Sequence, residues 1–67
     1  MAVAKVTEIS ASSAKGFEDA IQAGIARASK KLENIRGAWI KDLKVVAGNG
    51  KVTEYRVRMK VTFVLKD

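Results

Sequence analysis

Between Val52 and Leu65 the chain alternates. Tyr55, Val57, Met59, Val61, Phe63 and Leu65 are apolar, the intervening Glu54, Arg56, Arg58 and Lys60 are charged, and Thr62 and Val64 soften the end. Period-two alternation marks a long strand with one buried and one exposed face, because successive side chains on a strand point to opposite sides. One face needs an apolar cover; the other meets water, a ligand or another subunit.

From Phe17 the period changes. Phe17, Ile21, Gly24, Ile25, Ala28 and Leu32 recur at spacings of three and four, which puts them on one stripe of an amphipathic helix. Gly16 is an acceptable cap, and Glu18 and Asp19 set carboxylates in the first turn, where the helix dipole favours them. Lys30 and Lys31 fall in the expected last turn, with Asn34 as terminator. Such a stripe is core rather than a cofactor box, and the last strand supplies the face it covers.

Two further strands are less regular. Over Ala2 to Ile9, Val3, Val6 and Ile9 alternate imperfectly with Lys5, Thr7 and Glu8, which leaves the inward side open, and Ser10 to Lys15 has the small polar composition of a connection. Arg36 to Ala47 changes phase: Ala38 and Ile40 are even, Leu43 and Val45 odd, and one extra residue near Lys41 and Asp42, a β-bulge, reconciles them. Gly48-Asn49-Gly50 then turns the chain. A two-residue Asn-Gly turn pairs even with odd positions, whereas a three-residue loop with Gly50 left-handed pairs Leu43 with Tyr55. The second is preferred, because it keeps Leu43 and Val45 on the apolar side of the last strand. Trp39 then falls on the opposite face, with Arg56, Arg58 and Lys60.

The element order β-α-β-β gives an α+β fold. A helix returning across one face leaves the first two strands parallel in direction, so the third lies between them if all neighbours are antiparallel, in the order 1-3-2. The sheet has one helix to cover it, and the face with Trp39 stays open for assembly or a ligand.

Composition narrows the chemistry. At 67 residues this is a single domain, 1–67, of a size that buries only about 60% of the surface its unfolded chain exposes. It has no cysteine and no histidine, which removes disulfides, thiolates, imidazole bases and the usual transition-metal ligands. Nothing pairs a nucleophile with a base, so an enzyme is not expected. Thirteen Lys and Arg against seven Asp and Glu give a formal charge of +6, which favours anionic partners. The basic residues are scattered, as on a solvated surface, and a nucleic-acid role rests on charge alone without a glycine-rich aromatic motif beside it. No signal peptide or membrane span is visible, and a cytoplasmic protein is expected.

The opening Val3-Ala4-Lys5-Val6-Thr7-Glu8-Ile9, the helix start Gly16-Phe17-Glu18-Asp19-Ala20-Ile21, the helix end Ala26-Arg27-Ala28-Ser29-Lys30, and Asn49-Gly50-Lys51 followed by Tyr55-Arg56-Val57 and Val61-Thr62-Phe63 resemble a dodecin. The resemblance spans nearly the whole chain, carried by order and spacing. It implies twelve β-α-β-β subunits in a hollow homododecamer that binds flavin, riboflavin or FMN, for storage or buffering. It also implies an aromatic residue early in the second strand, stacked on the flavin ring, and a glutamine just after the tyrosine of the third. At the aromatic position, directly after Arg36, this chain has Gly37, and its tryptophan comes two residues later as Trp39, roughly 7 Å along the strand. At the glutamine position it has Arg56, and Asp42 stands where family members carry an acidic residue near the ribityl chain. The alternative is a shell of the same fold without flavin, structural or ion-binding in role.

Overall fold

The computed structural model describes residues 3–65, in the order β1 (Val3–Ser13), α1 (Phe17–Ala28), β2 (Ile35–Gly48) and β3 (Lys51–Leu65). Ala2, expected in the first strand, lies outside them. The strands form one antiparallel sheet in the order β1-β3-β2, as expected, with the longest strand central.

β1 runs further than its composition suggested. Ser10 to Ser13, expected as a connection, pair with Arg58, Val57, Arg56 and Tyr55. The reason is packing: a Cβ added to Gly24 would lie 3.0 Å from that of Ala11, so only small residues fit where α1 crosses β1. Cross-strand pairing outweighs the weak local preference of serine and alanine. With the register fixed, Ile9 and Ala11 join the core and Val6 points the other way, 53% exposed.

The helix is shorter than its stripe. Gly16 is its N-cap, and Ser13 Oγ donates to Asp19 at 2.6 Å, which ties the end of β1 to the first turn. The helix stops at Ala28, where the N–H and hydroxyl of Ser29 both donate to the Ile25 carbonyl. Lys30 and Lys31 therefore fall in the turn beyond it, and Arg27 is the basic residue of its last turn. Asn34 does not terminate the helix. It adopts φ 60 at the entrance to β2, where its carbonyl accepts from Val64 N–H at 3.1 Å.

The hairpin corrects one expectation and keeps its consequence. Asn49 (φ 54) and Gly50 (φ 76) form a two-residue loop, both left-handed, as a type I′ turn requires. The even–odd pairing such a turn imposes is present at Gly48–Lys51 and Ala47–Val52. Thr53 then inserts as an extra residue, restoring the parity, so Val45 pairs with Tyr55 and Leu43 with Val57 rather than with Tyr55. The Thr53 hydroxyl donates to the Val46 carbonyl at 3.1 Å across this bulge. The bulge expected near Lys41 and Asp42 is present with Lys41 as the extra residue, and a third register shift lies at Arg36.

The core sits between α1 and the centre of β3. Ala20, Val57, Met59 and Val61 are buried, ringed by Ile9, Ala11, Phe17, Ile21, Ile25, Ile35 and Ala38. Full burial of a valine or methionine is worth about 1.5–3 kcal/mol. Phe17 and Tyr55 close one end edge to face, with ring centroids 5.1 Å apart. α1, at 1.5 Å per residue, is about 18 Å long, while the molecule measures 52 Å along its longest axis. The helix lies on β1 and β3, and much of the sheet on its own side is left bare.

Candidate functional site

The open face of the sheet is built from rows of residues that stand side by side across the three strands. Register places Glu8, Lys60 and Trp39 in one row, Ser10, Arg58 and Asp42 in the next, and Ser12, Arg56 and Lys44 in a third. Beyond Trp39, on the other side, come Val6, Thr62 and Gly37. Directly opposed residues of an antiparallel pair share a face, so Gly37, Trp39, Asp42 and Arg56 all lie on the uncovered side. Asp42 owes its place there to the bulge at Lys41, which shifts the phase of β2 between Trp39 and Asp42.

Trp39 is 76% exposed, the most exposed of the large apolar residues described. A large indole in water on a flat sheet is an unsatisfied surface. Gly37, two residues earlier, leaves a gap beside it, and a Cβ there would meet no other atom within 4 Å.

Two arginines along β3 are each held by one carboxylate. Arg58 Nη2 donates to Asp42 Oδ2 at 2.6 Å, and Arg56 Nε donates to Glu54 Oε1 at 2.7 Å. The hydrogen bond from Arg56 holds the Glu54 carboxyl below its usual range, and the bond to Asp42 raises Arg58 further. All four side chains remain accessible, so these pairs orient the guanidinium groups more than they stabilise the fold. Arg56 keeps both Nη groups, and Arg58 its Nε and Nη1, outside these ion pairs.

Between the pairs runs an open groove of about 790 Å³ lined by Ser10, Ser12, Asp42, Lys44, Arg56 and Arg58 among others. It begins one row from Trp39. The sequence-derived residues thus converge in part: Trp39 with Gly37, and Asp42 with Arg58. Arg56 stands two rows from Trp39, about 13 Å along the strand. Ser10, Ser12 and Lys44 were not anticipated as part of this surface, and Glu54, expected on the charged face, was not anticipated as the partner of Arg56. The alternation Ile9-Ser10-Ala11-Ser12 carried the signal for the serines, masked because serine and alanine read as loop.

Among the described residues no cluster of acidic side chains is arranged to hold a metal ion, and no helix is long and apolar enough to cross a membrane.

Known proteins share this fold. The sequence model of the dodecin family matches residues 3–66. The dodecin of Thermus thermophilus is 37% identical over 65 residues, spanning 97% of this chain and 94% of that protein. The solved dodecin of Streptomyces davaonensis superposes with a TM-score of 0.94 at 32% identity, covering 98% of this chain and 97% of the other. A calcium-chelating dodecin of Mycobacterium tuberculosis, with its own calcium-binding site, superposes at 0.82 with 28% identity over 96% and 91%. Strand order and sequence agree along almost the whole length, and the chain belongs to the dodecin family.

Proposed function

We propose that this chain is a cytoplasmic, non-catalytic flavin-binding protein that stores or buffers riboflavin or FMN between subunits of a dodecameric shell. The observation that carries the proposal is Trp39, an indole 76% exposed on the uncovered face, one row from a polar groove. An aromatic face stacked on a flat ligand ring contributes about 1 kcal/mol beyond the area it buries. The Gly37 gap gives the ring room to lie beside the indole. From there a ribityl chain reaches the next row, where Asp42 accepts hydrogen bonds from hydroxyl groups and Ser10 offers a further polar contact. Arg56 and Lys44 stand beyond, suited to a phosphate or to a carbonyl oxygen of a second ligand.

Arg56 donates only, so it leaves the flavin imide N–H without the acceptor that a glutamine supplies. Stacking and the basic groove thus carry more of the affinity in this chain. Assembly fits the same picture, since an open sheet face and a partly bare helix side both expose apolar groups in a lone subunit.

A shell that takes no flavin is the second reading, favoured by Gly37 and Arg56 at the aromatic and glutamine positions and by the calcium-chelating relative. The visible spectrum of freshly purified protein, followed by titration of riboflavin and of FMN with flavin fluorescence as the readout, separates the two. Flavin storage gives a saturable quench that Trp39→Ala abolishes or weakens at least several-fold. A flavin-free shell stays colourless and shows no saturation.

A further inference from the structure

The chain has two asparagines, Asn34 and Asn49, and both are held with positive φ, 60 and 54. Their surroundings differ in burial, in side-chain hydrogen bonding and in the residue that follows. Asn34 is half-buried, its Nδ2 donates to the Val64 carbonyl, and the next residue is the β-branched Ile35. Asn49 stands at the exposed tip of the hairpin, its side chain makes no hydrogen bond to another described residue, and the next residue is Gly50.

We propose that Asn49 is a site of spontaneous deamidation, with the β2–β3 turn as the element it alters. The strand ladder closes at the Gly48–Lys51 pair, so the Gly50 N–H lies outside it, and glycine puts no side chain in the way of its nitrogen. That nitrogen attacks Cγ of Asn49. The N–Cγ bond forms and the Cγ–Nδ2 bond breaks, and Nδ2 leaves as ammonia with the proton lost by Gly50. Water then opens the cyclic imide at either carbonyl. One opening gives aspartate; the other routes the backbone through Cβ and gives isoaspartate. No oxidant or reductant takes part.

The turn demands the residue that makes it perishable. A two-residue loop with both φ values positive is best filled by Asn-Gly, because asparagine tolerates the left-handed region and glycine occupies it freely. Isoaspartate adds one methylene to the backbone of that loop, and the type I′ geometry no longer closes. The pairs lost first are Gly48–Lys51 and Ala47–Val52, which lie outside the Thr53 bulge and its hydrogen bond to Val46. Both products also set a new negative charge two residues before Lys51.

The test ages the native protein at mildly alkaline pH beside a free peptide of residues 47–52, and follows both by peptide mapping and mass spectrometry. The expected result is an amide-to-acid mass change at Asn49, isoaspartate as the larger product, and an unchanged Asn34. Conversion in the protein is slower than in the peptide, because the left-handed turn must open before the nitrogen reaches Cγ. An Asn49 that keeps its amide over the interval in which the peptide converts fully overturns the proposal. So does conversion of Asn34 at an equal rate.

Discussion

The helix side of the sheet divides into two regions that carry the same apolar alternation and meet different surroundings. Under α1, Val57, Met59 and Val61 are 1%, 0% and 0% exposed, while on β2 the residues of that same side, Ile40, Leu43 and Val45, remain 42%, 52% and 43% exposed. Leu43 is the direct cross-strand partner of Val57, so a single step sideways separates core from surface. Alternation specifies which way a side chain points. The length and placement of the helix decide whether anything lies over it, and a 12-residue helix does not span a sheet of 14- and 15-residue strands.

Substitutions on the two sides should therefore behave differently. Met59→Ala removes a fully buried side chain at the centre of the core and should cost about 2–5 kcal/mol of stability, read as a lowered midpoint in chemical denaturation. A loss under about 1 kcal/mol, below the range for such truncations, would mean that the covered region is not the main source of stability. Leu43→Asp, one strand away, should leave the far-ultraviolet spectrum of the fold intact and move the protein to a smaller species by gel filtration, because its surface is free for another subunit. An unchanged elution volume would remove Leu43 from any assembly interface.

Gly24→Ala probes the closest approach of helix and sheet. The added Cβ would stand 2.6 Å from Met59 Cε, which can move, and 3.0 Å from Ala11 Cβ, which cannot move without its strand. Overpacking of about 1–3 kcal/mol outweighs the gain of about 1 kcal/mol that alanine brings to a helix. The net result is a destabilisation smaller than that of Met59→Ala. A more stable variant would show slack between α1 and β1.

The smallest effect belongs to the open face. Arg56 holds the Glu54 carboxyl below its usual range, so the stabilisation from this pair is complete above the ordinary carboxylate range and disappears as pH falls through the lowered value. Glu54→Gln should flatten the acid limb of the stability curve slightly and leave neutral pH almost unchanged, because the pair is exposed. A large loss at neutral pH would contradict an orienting role.

Much of this was legible from residue pattern. The strand order, the bulge at Lys41 and the exposed Trp39 follow from parity and from the alternation of β3. What failed were local preferences set against tertiary pairing. Ser10 to Ser13 have loop composition, yet they are strand because Gly24 and Ala11 allow α1 to sit close. The turn was misassigned because parity alone cannot separate a three-residue loop from a two-residue turn followed by a bulge at Thr53. Ile40, Leu43 and Val45 point towards the helix side as the pattern indicates, but no residue pattern announces that the helix stops short of them. On the candidate site, residue spacing put Trp39 and Arg56 on one face, and Asp42 was included through the family resemblance. It could not reveal that Arg56 stands two rows from the indole, or that Glu54 and Asp42 fix the two arginines.

The central claim is that the uncovered face binds a flat ligand through its displaced indole. Its most direct test is a titration of FMN with the native chain and with Trp39→Ala, reading the quench of flavin fluorescence. The account predicts saturable quenching by the native protein and a loss of at least several-fold in affinity in the variant; no saturation, or equal affinities in the two proteins, would contradict it.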